Sequence, residues 1–129
     1  MKRAVWTMGT VVVLAGIFLA GMAVGKNQYG TPPTVLHVVA GKWTDEATDE
    51  QKQQAMEALK DMAAEIDGIK NIWVSPERIQ PREFNYAFAI EFESREAADA
   101  YAEHPAHDVW YKIYLPLRDQ SRSLQISNR

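Results

Sequence analysis

A chain of 129 residues has room for one compact core, since folded domains commonly hold about 100 to 150 residues. Its 47% hydrophobic and 24% charged residues exclude intrinsic disorder, and a net charge of −3 without a basic stripe argues against nucleic acid as a partner. Having no cysteine, the chain can form no disulfide, no thiolate nucleophile and no cysteine-held metal site, so packing alone must hold the fold.

Lys2 and Arg3 precede an uncharged stretch over residues 4–25 that contains Val11, Val12, Val13, Leu14, Ile17, Phe18 and Leu19. As a helix this stretch would span roughly 30 Å, the thickness of a bilayer's hydrocarbon core. Positive residues stay on the cytoplasmic side, which sends the rest of the chain across the membrane. Small residues at Gly21, Ala23 and Gly25 offer cleavage positions for a secretory signal. The apolar run nevertheless exceeds the roughly 7 to 15 residues of a usual signal core, which favours an uncleaved anchor helix. The next segment, residues 26–33, reads KNQYGTPP and is a turn-rich linker, so a folded domain is expected over residues 34–129.

Residues 34–43, TVLHVVAGKW, are β-branched and apolar without helical spacing, and predict a first strand. Thr48 opens a helix, with Gln51 completing a capping box. Ala55, Met56, Leu59, Met62, Ala63 and Ile66 recur at three- and four-residue steps on one face, while Lys52, Glu57, Lys60 and Asp61 face water. Gly68 is the expected left-handed cap that ends this helix. A second strand is predicted over residues 69–74, with Pro76 and Pro81 in the connection after it. In the third, Phe84, Tyr86, Phe88, Ile90 and Phe92 alternate with smaller or charged residues, the period of a pleated strand. Ser94 caps a second helix through Tyr101, which Pro105 stops. A short helical turn over residues 108–114 and a terminal strand over residues 123–127 complete the reading.

The order β-α-β-β-α-β is that of a ferredoxin-like α+β sandwich, whose helices cover one face of the sheet. Both alternating sets of the first strand are apolar, with Val35, Val39 and Trp43 on one side and Leu36, Val38 and Ala40 on the other. Ala87 and Ala89 extend the second set. An uncharged, helix-free face of this kind is costly to leave in water, and a second copy is expected to cover it as a homodimer.

Two of the three histidines, His104 and His107, lie three residues apart behind Tyr101, and the third, His37, lies in the first strand beside Val35 and Val39. Histidine exchanges protons near neutral pH, and a tyrosine hydroxyl can orient a carbonyl oxygen. Two structural roles compete with this one. His104 would cap the carboxyl end of a helix, and His37 would be a hydrogen-bonded core residue. The spacing of His37, His104 and His107 lacks the form of a zinc motif, and no metal site is expected.

The segments LHVVAGKW, IDGIKNIWV and FAIEFESREAADAYAEHPAH resemble the stress-responsive dimeric α+β barrel (Dabb) family along nearly the whole chain from Thr34. The run Y-x-x-H-P-x-H at Tyr101, His104, Pro105 and His107 carries most of that resemblance. It implies a protomer whose sheet packs against a partner's. Similarity to a polyketide-cyclising member implies His107 as general base, Tyr101 as carbonyl orienter, His37 as a pocket residue, and no cofactor. A small apolar ligand would then rest among His37, Val39, Tyr86, Phe88 and His104. Ala55 and Leu59 stand where that member carries aromatic residues, and Gly41 replaces a leucine. Enzymatic use requires an open apolar cavity of roughly 300 Å³ or more at Tyr101 and His107. The first expectation is a dimeric ligand-binding or protective module outside the cytoplasm, and the alternative is a cyclase-like enzyme.

Overall fold

The computed structural model describes residues 30–128. The backbone runs through β1 (Val35–Trp43), α1 (Asp49–Glu65), β2 (Ile69–Trp73), β3 (Tyr86–Phe92), α2 (Arg95–Ala100), α3 (Pro105–Tyr114) and β4 (Arg118–Ser127). Single 3-10 turns at Tyr101–Glu103 and Leu115–Leu117 precede and follow α3. The hydrophobic leader and the start of the linker lie outside the described residues. Among the described residues no helix is long and apolar enough to cross a membrane.

Local chemistry sets the limits of α1. The Thr48 hydroxyl accepts the Gln51 N–H at 3.2 Å, and the Gln51 side-chain oxygen accepts the Thr48 N–H at 2.9 Å, which satisfies two free amides of the first turn. Ala55, Leu59, Met62 and Ile66 are buried, as the periodicity predicts, while Met56 and Ala63 are half-buried. Gly68 is not the cap. The helix stops at Ile66, whose N–H still reaches the Met62 carbonyl, and Gly68 turns the chain into β2 with φ +89°. A β-carbon at Gly68 would press on the Ala97 methyl at 2.8 Å, so both backbone angle and space require glycine.

All strand pairs are antiparallel in the order β2-β3-β1-β4, the arrangement of a ferredoxin-like α+β fold. β1 and β3 form the centre, and their inner residues Val35, Val39, Trp43, Tyr86, Phe88, Ile90 and Phe92 build the core with α1 and α3. Complete burial of Phe92, Leu59 and Ile90 contributes about 1.5–3 kcal/mol for each side chain. The third strand begins at Tyr86 rather than Phe84. The Asn85 side chain accepts the Trp43 N–H at 3.0 Å and takes over the next rung of the ladder, although Phe84 stays buried.

The helix-free face carries a transverse apolar row. Trp73 pairs with Ala89, Ala89 with Val38, and Val38 with Leu124, so four strands contribute one residue each. Leu36 and Ile126 form part of the next row, where Glu91 is the charged member. Trp73, Leu124 and Ile126 are about half exposed, at 46%, 52% and 52%.

The largest departures from expectation lie after Ser94. In place of a turn, α3 is a ten-residue helix beginning at Pro105, because proline's missing N–H costs nothing in the first helical position. β4 is likewise twice as long as the predicted terminal strand.

Candidate functional site

Reading Pro105 as a helix start reverses the role of His104. His104 is the N-cap of α3, with an extended backbone and an Nδ1 that accepts the Ala106 N–H at 3.1 Å. A carboxyl-end cap would favour a protonated ring, whereas this position needs an unprotonated nitrogen as acceptor. From that start, His107, Trp110, Tyr111 and Tyr114 fall at steps of three and four and face the sheet together.

Beneath this face β1 presents His37 and Val39, and β3 presents Phe88. Tyr101 enters from the turn before α3. Arg118, Ser121 and Ser123 of β4 close the remaining side. These residues enclose a cavity of about 230 Å³. The Tyr101 ring lies 5.1 Å from His107, edge to face, 5.7 Å from His37 and 4.8 Å from Phe92. His107 in turn stacks on Tyr111 at 5.2 Å.

Nδ1 of His37 and Nδ1 of His107 are both buried without a hydrogen-bond partner among the described residues. A buried polar atom left unmatched costs about 1–3 kcal/mol, and such sites call for an explanation. Burial depresses the His37 imidazole below its ordinary range, and repulsion from His107 adds to this. Burial depresses His107 too, against a weaker pull upward from Asp108. Both rings are therefore neutral near pH 7 and able to accept a proton. Burial raises the Tyr101 phenol, assisted by Tyr111, and keeps it protonated as a donor.

His37, Val39, Phe88, Tyr101 and His107 thus share one cavity wall, and Tyr86 and His104 are outside it. The Tyr86 hydroxyl lies 2.5 Å from that of Tyr114 and its ring stacks on Trp43 at 4.1 Å. Gly41 makes this placement feasible. A β-carbon there would collide with the Tyr86 hydroxyl and the Gln120 carbonyl, so the room a leucine would occupy is filled by Tyr86. Ala55 is fully buried, and the Trp110 indole N–H donates to its carbonyl at 3.2 Å.

The cavity is smaller than the roughly 300 Å³ expected of an enzyme of this kind, and its wall is mixed rather than apolar. Trp110, Tyr111 and Tyr114 take up volume, while Arg118, Ser121 and Ser123 bring polarity. None of these six was singled out from sequence. The aromatic three were legible as a helical stripe once Pro105 opens a helix; the β4 residues carried no signal beyond alternation.

The Stress responsive A/B Barrel Domain model matches residues 35–127, well over half of the chain. No curated protein matches. Among solved structures, the chain is similar to a dimeric protein of unknown function and ferredoxin-like fold from Bacteroides fragilis, with 24% identity, TM-score 0.61, and 76% of this chain and 99% of that one covered. A dimeric ferredoxin-like protein of unknown function from Thermobifida fusca shows 22% identity, TM-score 0.65 and coverage of 79% and 97%. Hydroxynitrile lyase from Passiflora edulis shows 16% identity, TM-score 0.65 and coverage of 74% and 94%. At these identities the likeness concerns the fold, while the domain match concerns the sequence itself; the chain belongs to the stress responsive A/B barrel domain family.

Proposed function

We propose that the protein is a dimeric module that binds a small carbonyl compound in the cavity between β1 and α3. The observation that carries this reading is the meeting of His37, Tyr101 and His107 at one cavity, with both histidine Nδ1 atoms buried and unpartnered. A bound carbonyl oxygen only accepts, and it can be met by the Tyr101 hydroxyl and by a neutral histidine in the tautomer that carries its proton on Nδ1, while the aromatic wall supplies apolar contact. The dimer is supported by the apolar row from Trp73 to Leu124 and by the dimeric state of the similar proteins from Bacteroides fragilis and Thermobifida fusca. The leader, with Lys2 and Arg3 ahead of residues 4–25, supports a membrane anchor with residues 34–129 outside the cytoplasm.

A catalytic use of the same cavity, which at about 230 Å³ is small for an enzyme, would fall to His107. As a neutral base it would remove a proton next to the carbonyl, while the Tyr101 hydroxyl donates to the oxygen where negative charge gathers. Titration with acetophenone in D2O tests both readings. Saturable binding supports the module, and deuterium entering the methyl group at a rate lost in His107→Ala supports catalysis. No saturable binding and no exchange overturns both.

A further inference from the structure

The cavity wall also carries a charge that neither reading uses. Arg118 lines the wall, with its guanidinium carbon 6.0 Å from the Tyr111 ring centre and 5.9 Å from that of Tyr114. One of its nitrogens approaches the Tyr111 hydroxyl at 3.5 Å, too long for a strong bond. Among the described residues no carboxylate pairs with it. The adjacent acid, Asp119, is held by Lys42 at 3.3 Å instead. Arg118 lies against aromatic faces and reaches the Tyr111 and Tyr114 phenols, but among the described residues its charge has no counter-charge. Ser121 and Ser123 place two hydroxyls on the same wall.

We infer that the cavity is a site for planar aromatic carboxylates, in which Arg118 takes the carboxylate and the carbonyl end of the ligand lies at His37, Tyr101 and His107. The inference rests on the ligand-binding reading above and adds the chemical class. Tyr111 neighbours both ends of the proposed site, since its ring centre lies 5.2 Å from that of His107 and 6.0 Å from the Arg118 guanidinium carbon. Planar guanidinium and carboxylate groups match in two parallel hydrogen bonds, a pairing that lysine cannot reproduce. The ligand ring would lie among Phe88, Trp110 and Tyr114, where offset or edge contacts are available.

The test compares 4-acetylbenzoate with its neutral twin 4-acetylbenzamide by calorimetric titration into the full-length protein. The acid should bind at least about tenfold more tightly, the usual worth of a charge-assisted hydrogen bond, and the advantage should shrink as salt rises. Arg118→Gln should erase the difference, and Arg118→Lys should restore part of it. Equal affinity for acid and amide overturns the Arg118 assignment while leaving the cavity reading intact. An acid preference that persists in Arg118→Gln overturns it as well. If neither compound saturates, this inference falls together with the ligand-binding reading beneath it.

Discussion

His107 and Tyr101 stand edge to face, ring centres 5.1 Å apart, although one belongs to a helix and the other to the turn before it. Pro105 makes this approach feasible by ending one segment and starting the next, so that the six-residue step between them folds back on itself. The consequence is a neutral base and a protonated phenol facing one cavity.

Stability should fall on acidification through the histidine range. Because burial depresses His37 and His107, the unfolded chain takes up protons that the folded chain refuses once the pH drops below the ordinary value of 6.5, so stability rises with pH across that window. The thermal midpoint should therefore drop between about pH 7.5 and about pH 5.5. The double variant His37→Gln, His107→Gln should flatten this slope, and an unchanged slope would remove these two rings as its cause.

Replacing the α3 cap should cost what caps usually cost. His104→Ala removes the acceptor for the Ala106 N–H and should lower stability by about 1 kcal/mol, measured by urea unfolding. His104→Asp, a better cap and a negative charge at a helix start, should match or exceed the parent. Had His104 capped a carboxyl end, aspartate would be the worse of the two.

Gly41 and Tyr86 should couple in a double-mutant cycle. Gly41→Ala alone drives a methyl into the Tyr86 ring and should destabilise by about 1–3 kcal/mol. In a Tyr86→Leu background the same change should cost less, because the ring is gone and only the Gln120 carbonyl remains in the way. Additive losses would indicate that the Gln120 contact alone fixes glycine there.

The helix-free face should fail as an interface when charged. Leu124→Asp places a carboxylate in the row shared with Val38, Ala89 and Trp73, and sedimentation of residues 34–129 should shift from dimer to monomer at micromolar concentration. A parent that sediments as a monomer would remove the dimer from the proposal.

Sequence pattern announces an element when one face is apolar and the other is not, and the first half of the domain obeys that rule. β1, α1 and β3 bury large residues at regular steps, and Thr48 with Gln51 marks a helix start on its own. Only residues 123–127 of β4 were legible, because its inner residues Ser121 and Ser123 line a polar cavity wall while apolar Leu124 and Ile126 face outward. The start of α3, ahead of the helical turn expected over residues 108–114, was hidden by Pro105, which local rules allow at a helix start as readily as after a helix end. For the site, Tyr101, His107 and His37 stood out by residue type. Arg118 did not, since an arginine declares itself only through neighbours brought together by folding.

Nuclear magnetic resonance of the histidine rings tests the site most directly, because the chain has three histidines and they occupy two different settings. On addition of 4-acetylbenzoate the His37 and His107 ring signals should move in a saturable way while those of His104, engaged at the α3 cap, stay in place. A response confined to His104, or still signals from all three at saturating probe, would contradict the proposed site.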